Sequence, residues 1–271
     1  MLVELHGKAG TLCQPAKLGQ QHCPLIVRPT SEDNVTAHLV HALRTLNPRH
    51  WVSDFLNAAL GCARFPRQVY RRFRIEPWVG KSPFPRHLIP WTEGGSEIDV
   101  QISWENPPTT VFVECKYGSA LSNRTNQNDG SHGFPSDQLV RNIRVGLHEC
   151  GYYRDNDLFA CEPRDFAVVL LAPETGTVLV QEYRDLDRLK LAIPQSDRII
   201  WPQTPFVGEI GYRDIRNLLL TRRRFTTRAE RHVIDQFVEY LMFKHQTRPN
   251  RVGLSMANGE HDLAGSRQPP V

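Results

Sequence analysis

An apolar run at residues 166–172 (FAVVLLA), bounded by Asp165 and Pro173, constrains the fold more than any other part of the sequence. A run of this length suits a β-strand. Because no position in it is polar, both faces of that strand must be covered by other parts of the protein. Helices on both sides of a sheet provide such cover. The sequence therefore predicts an α/β fold with this strand in the middle of a mixed sheet.

The segments before this strand have clear periodicities. Apolar side chains recur at helical spacing over 32–46 after Ser31, a plausible N-cap, and a second helix is predicted at 51–60, ending at Gly61. The predicted order up to the apolar run is αα-βββ-α-β. The other predicted elements are strands at 69–77, 97–104 and 111–117, a helix between Ser136 and Cys150, an edge strand at 198–201, and helices at 214–220 and 227–241.

The chain divides into one domain with two additions. Residues 1–29 and the tail from 246 lack periodicity and contain Gly and Pro, and the segment 118–135 is predicted to be a long loop. Neither an internal repeat nor a clear linker interrupts the rest of the chain. We expect an N-terminal extension at 1–29, a single domain at 30–245, and a polar, flexible tail at 246–271.

Composition excludes several classes of protein. With 40% hydrophobic and 23% charged residues, the 271-residue chain matches globular proteins rather than disordered ones. The net charge of +4 permits a polyanionic partner without requiring one. Because the sequence has neither a bilayer-length apolar stretch nor the apolar run of a signal peptide, we expect a cytoplasmic protein without membrane contact. The six scattered cysteines are expected to be reduced thiols.

Charged side chains converge on two neighbouring predicted strands. Side chains alternate along a strand, so Glu114 and Lys116 point to one face while Val113 and Cys115 point to the core on the other. The turn at 106–108 (NPP) predicts an antiparallel hairpin, which brings Asp99 back towards Glu114. Two carboxylates and an ammonium group are therefore expected at one place on the sheet.

This combination of groups suits a divalent cation. Two carboxylates at short distance repel each other and raise each other's pKa unless a cation lies between them. Mg²⁺ binds one or two protein carboxylates and completes its coordination with water and substrate phosphate oxygens, and Mn²⁺ is expected to substitute for it. A metal in such a site can activate water for phosphodiester hydrolysis, while a nearby lysine orients that water or offsets developing charge.

The residues that carry this chemistry resemble a known family. Ile98-Asp99-Val100, followed by the strand segment 112–116 (FVECK), is similar to the signature of the PD-(D/E)XK nuclease superfamily, although Ile98 stands where proline often precedes the aspartate. The predicted order from residue 31 to 172 also resembles the restriction-endonuclease-like core, αβββαβ, with a central mixed sheet flanked by helices. The resemblance implies a metal-dependent nuclease.

The same resemblance implies roles for individual residues. Asp99 and Glu114 would bind the metal, Lys116 would be the catalytic lysine, and Glu32 would be a further ligand or would position water. Gln138, in the helix that follows the signature, would be a supporting polar contact. The resemblance further implies DNA rather than RNA as substrate, a role in prokaryotic defence or repair, and a homodimer or a defence-system partner. Two arginine clusters, at 64–74 and 213–231, are candidate contacts to phosphates.

Alternative interpretations of the same residues stay open at this point. The fold could be a catalytically silent module that binds nucleic acid or protein. The charged strand could instead be the solvated edge of an unrelated α+β scaffold. Glu32 could be only a first-turn acid favoured by the helix dipole, and Gln138 could be only a surface residue.

Overall fold

The computed structural model describes residues 31–118, 133–154 and 162–246, which form a five-stranded sheet with helices on both faces. The order from the first helix to the fourth strand is αα-βββ-α-β, as predicted. The strands are β1 (Arg71–Lys81), β2 (Ser96–Glu105), β3 (Thr109–Cys115), β4 (Asp165–Ala172) and β5 (Val207–Gly211). The α-helices are α1 (Glu32–Thr45), α2 (Val52–Leu60), α3 (Gln138–Glu149), α4 (Val178–Arg184), α5 (Leu186–Ala192), α6 (Tyr212–Arg222) and α7 (Arg228–Gln246).

The sheet is mixed and has β3 at its centre. Its strand order is β1-β2-β3-β4-β5, with antiparallel pairing from β1 to β3 and parallel pairing from β3 to β5. The predicted hairpin between β2 and β3 is present. All seven residues of β3 are buried, as are the middle six of β4. The α/β class is confirmed, and the apolar run forms β4, an inner strand paired on both sides and next to the central strand.

Two apolar cores lie on opposite faces of the sheet. The first core joins Val113 to side chains of α1, α2, α6 and α7, including Val35 and Phe237. The second joins Phe112 to α3, α4 and α5, including Ile143 and Leu189. Because Phe112 and Val113 are neighbours in one strand, the alternation of side chains sends each into a different core.

A glycine allows α3 to pack closely on the sheet. A Cβ atom at Gly146 would overlap the ring of Phe166 on β4, so no larger residue fits there without rearrangement. Asn142 lies one turn earlier on the same face of α3. The close approach at Gly146 therefore brings the side chain of Asn142 to the sheet surface as well.

Some predicted elements are wrong in position or kind. The edge strand predicted at 198–201 is absent; instead Ser196–Arg198 forms a 3-10 helix and Ile199 makes a single bridge to Tyr153. The fifth strand is β5, which was not predicted, and α4 and α5 were also not predicted. The N-cap of α3 is Asp137, whose carboxylate accepts from the amides of Leu139 and Val140, rather than Ser136.

Several expectations lie wholly or mainly outside the described residues: the extension at 1–29, positions 119–132 of the predicted loop, and the tail beyond 246. The three described cysteines, Cys62, Cys115 and Cys150, are free thiols as predicted. Among the described residues, none of the helices combines the length and apolar character that crossing a bilayer requires.

Candidate active site

The two predicted carboxylates lie side by side at the end of the β2–β3 hairpin. Val100 pairs with Val113, so the next position along the two strands sets Asp99 opposite Glu114. Each carboxyl group is near enough to affect the pKa of the other. Glu114 has no exposed surface, and Asp99 is partly buried. A charged pair is therefore held in a part of the sheet that is otherwise apolar.

The backbone of β3 holds Asp99 in place. The ladder between β2 and β3 ends at Val100 and Val113, which leaves the next amide groups of β3 without a partner on β2. Asp99 Oδ2 accepts a hydrogen bond of 2.8 Å from the amide of Cys115 and so replaces the missing ladder partner. The end of the strand pairing thus fixes one carboxylate beside the other.

Glu114 has a different partner at each carboxylate oxygen. Asn142 Nδ2 on α3 donates to Oε2 at 3.0 Å. Lys116 Nζ lies 2.9 Å from Oε1 as an ion pair, but Oε1 is buried and makes no hydrogen bond of good geometry. Oε2 of Glu114 therefore has a hydrogen-bond donor, while Oε1 has the Lys116 ammonium group as its ionic partner.

Lys116 lies between the central carboxylate and the first helix. Its Nζ atom is 3.5 Å from Glu32 Oε2, and Glu32 Oε1 accepts from the amide of Tyr117 at 3.1 Å. Tyr212 on α6 donates its hydroxyl to the carbonyl of Lys116 at 2.7 Å. These contacts fix both ends of the lysine, so its ammonium group is held at the carboxylate pair.

Burial and mutual repulsion control the protonation of the pair. Burial raises the pKa of Asp99 well above its usual value, and the charge of Glu114 raises it further. Burial also raises the pKa of Glu114, although Lys116 and Asn142 oppose that effect. For Lys116, burial alone would lower the pKa, but Glu114 and Glu32 outweigh it and raise the pKa. The lysine is therefore charged wherever the pair is ionised.

The structure brings four of the five predicted residues into one chain of contacts: Asp99, Glu114, Lys116 and Glu32. Gln138, the first residue of α3, is partly exposed and has no side-chain hydrogen bond among the described residues. The amide that reaches Glu114 belongs to Asn142, which the sequence reasoning missed. The sequence feature that could have identified Asn142 is its position: it follows Gln138 by four residues and is a polar residue on an inward, apolar helix face.

The interpretation of the charged strand as a solvated edge is wrong. β3 is the central strand of the sheet, and Glu114 has no exposed surface. Glu32 is indeed the first residue of α1, but its carboxylate also contacts Lys116 and Tyr117. It therefore does more than complement the helix dipole.

The arginine cluster at 213–231 makes several internal contacts. Arg222 forms an ion pair with Asp54, and Arg223 forms two hydrogen bonds of 2.7 Å with Asp235. Arg224 lies over the ring of Phe225. The three consecutive arginines therefore have partners within the protein, and no phosphate ligand is needed to explain them.

Within the described ranges, no three His, Cys, Asp or Glu side chains are grouped in a way that could hold a metal ion, so the acidic centre consists of Asp99 and Glu114. Comparison of the chain with protein-family models, curated proteins and solved structures finds no match. The geometry of the site must therefore carry any assignment of function.

We expect Asp99→Asn to stabilise the protein at alkaline pH. Because both carboxyl pKa values are raised in the folded state, the folded protein binds more protons than the unfolded chain above about pH 4, and stability falls as pH rises through the folded-state values. The amide keeps an acceptor for Cys115 and removes the repulsion. At pH 8 the variant should therefore unfold at a higher urea concentration than wild type.

Urea unfolding from pH 4 to pH 9 measures this effect. Glu239→Gln, which removes an exposed carboxylate from α7, is the control and should leave the pH profile unchanged. If Asp99→Asn were no more stable than wild type at pH 8, the carboxylate pair would not be a source of strain.

We expect Asn142 to matter more for the site than Gln138. Asn142→Leu leaves Glu114 Oε2 buried without its donor, which should cost about 1–3 kcal/mol in the free energy of unfolding. Gln138→Leu should change it by less than about 0.5 kcal/mol, because partly exposed positions without such contacts tolerate substitution. Urea unfolding at pH 7 compares them, and equal losses would show that Asn142 has no special role.

Proposed function

We propose that this protein is a metal-dependent nuclease of the PD-(D/E)XK type, which hydrolyses phosphodiester bonds in DNA. The observation that carries the proposal is that the Asp99 and Glu114 carboxylates lie opposite each other on paired strands, with Lys116 paired to Glu114 at 2.9 Å. Buried like charges destabilise a fold, so a site that retains them has a functional rather than a structural explanation. The αβββαβ order around the sheet is compatible with a restriction-endonuclease-like core at 30–245.

The carboxylate pair suits Mg²⁺ or Mn²⁺. Glu114 Oε1 is a buried oxygen without a hydrogen bond, and Asp99 supplies a second hard oxygen donor beside it. Two carboxylates suffice for Mg²⁺, which takes its other ligands from water and substrate phosphates. When bound, the ion would polarise the phosphodiester and favour ionisation of a water molecule.

The remaining residues position one another around this pair. Lys116 is held by Glu114 and Glu32, so its ammonium group can donate to a phosphate oxygen or to the attacking water. Asn142 fixes the orientation of the Glu114 carboxylate. Glu32 acts on Lys116 rather than on the acidic pair, because its two oxygens are directed to Lys116 and to the amide of Tyr117.

The substrate and setting follow from the resemblance to the superfamily. We propose DNA rather than RNA, a cytoplasmic role in prokaryotic defence or repair, and action as a homodimer or with a defence-system partner. The net charge of +4 is compatible with a polyanionic substrate.

A second function is favoured by the burial of the site. Glu114 has no exposed surface and the side chain of Lys116 is only 12% exposed, which would suit a catalytically silent module that binds nucleic acid or protein through other surfaces. Such a module would bind DNA equally well with or without a functional Lys116. The two functions therefore differ in one measurable property, which is hydrolysis.

We expect wild-type protein to cleave linear, circular or single-stranded DNA in the presence of Mg²⁺ or Mn²⁺, and not with EDTA. Lys116→Met should reduce the cleavage rate by about 10²-fold or more, because it removes a positioned charge from the reacting phosphate. Lys190→Met, which removes a partly exposed lysine from α5, is the control and should cleave like wild type.

DNA binding by each protein is measured in parallel, in EDTA. Loss of cleavage with retained binding supports catalysis by Lys116. Binding without cleavage in wild type would favour the silent module, and equal cleavage by wild type and Lys116→Met would contradict the role of the lysine.

A further inference from the structure

A second polar cleft lies at the other end of the β2–β3 hairpin. It has a volume of about 370 Å³, which is within the range of small-ligand sites. We call it the arginine cleft, after Arg72, Arg74 and Arg164 in its lining; Ser103, Glu105 and Thr110 also line it. It is formed where β1, β2 and β3 begin or end, next to the residue that precedes β4.

The arginine cleft is separate from the carboxylate pair. Thr110 and Glu114 lie on the same face of β3, four residues apart, which corresponds to roughly 13 Å along a strand. No residue of the Asp99, Glu114, Lys116 group lines the cleft. A ligand bound there would be outside the proposed catalytic centre but on the same side of the sheet.

The charge of the cleft is strongly unbalanced. Arg72 pairs with Glu105 at 2.9 Å, and Glu105 is the only acidic residue in the lining. The side chains of Arg74 and Arg164 are exposed and form no hydrogen bond or ion pair with the rest of the described chain. Two guanidinium groups therefore face the same cleft with their donors available.

Two hydroxyl groups of the lining can donate as well. The hydroxyl-bearing residues Ser103 and Thr110 are paired across β2 and β3, and Arg74 is paired with Ser103, so the three side chains form a row across three strands. Three guanidinium groups against one carboxylate, with two hydroxyls that can donate, suit a ligand that presents several anionic oxygens.

The backbone supports this arrangement with an irregularity. The register of β1 against β2 shifts by one residue between Arg71 and Arg74, and Arg72 in this bulge has a φ of +49°. Residues other than glycine adopt this conformation at a cost, and bulges commonly redirect side chains near functional sites. Here the bulge lies at the arginines that line the cleft.

We propose that the arginine cleft binds a phosphate group. Guanidinium groups match the geometry of phosphate oxygens and form paired hydrogen bonds with them. The phosphate can come from a nucleic-acid backbone or from a free nucleotide, because both present the same group. The proposal does not depend on hydrolysis at Asp99 and Glu114.

The test uses the double variant Arg74→Glu/Arg164→Glu in the full chain, with EDTA present so that cleavage does not interfere. Probes are a fluorescent 12-nucleotide single-stranded DNA, measured by anisotropy at several salt concentrations, and 5′-AMP against adenosine, measured by thermal shift. The control is Arg49→Glu/Arg86→Glu, which makes the same charge change at exposed arginines outside the cleft and outside both arginine clusters.

We expect the cleft variant to bind its ligand at least about tenfold more weakly than the control variant. For DNA, the slope of log affinity against log salt should also become shallower by about 0.7 for each DNA phosphate that the variant no longer neutralises. A loss for DNA alone identifies the backbone as the source, and a loss for 5′-AMP alone identifies a free nucleotide. Equal binding of both probes by the two variants, each folded as judged by circular dichroism, would overturn the proposal.

Discussion

The placement of the Asp99 and Glu114 carboxylates opposite each other, in a largely buried part of the sheet, is the constraint on which the rest of this structure depends. Glu114 lies in the central strand of the sheet with no exposed surface, and Asp99 lies opposite it. Burying one carboxylate is unfavourable, and burying two together is more so, unless cations and hydrogen bonds compensate. Three groups from different parts of the fold do so: the amide of Cys115, the side-chain amide of Asn142 and the ammonium group of Lys116. The apolar cores on both faces supply the stability that such a site reduces.

The surrounding elements explain why these groups meet. The register of the hairpin sets the two acids opposite each other. Because the β2–β3 ladder ends at Val113, the amide of Cys115 has no backbone partner on β2 and donates a hydrogen bond to Asp99 instead. Close packing of α3 at Gly146 brings an amide side chain to the sheet, while α1 begins beside the end of β3 and brings Glu32 to Lys116. Strand pairing, helix packing and helix position each explain one of these contacts. Together they form a cluster of charged groups that does not increase the stability of the fold.

Much of this fold and site was predictable from the sequence because strong patterns control it. Alternating side chains and the turn at 106–108 defined the β2–β3 hairpin, and with it the convergence of Asp99 and Glu114. The short strand β5 was not predictable, since its sequence VGEIG has two glycines and no clear alternation, and it is stabilised by parallel pairing with β4. Asn142 was missed because one polar residue in an apolar helix face does not reveal its partner. The family resemblance points to Gln138, but the residue of α3 that contacts Glu114 is Asn142, one helical turn later.

The binding of Mn²⁺, measured by isothermal titration at pH 6 and pH 8, tests the central claim most directly. Because the ion binds the ionised carboxylates, and burial raises the pKa of both Asp99 and Glu114, wild-type protein should bind one ion, and more tightly at pH 8. Glu114→Gln and Asp99→Asn should each abolish that binding, whereas Glu239→Gln should bind like wild type. Absence of binding by wild type at both pH values, or unchanged binding by the two site variants, would contradict the account.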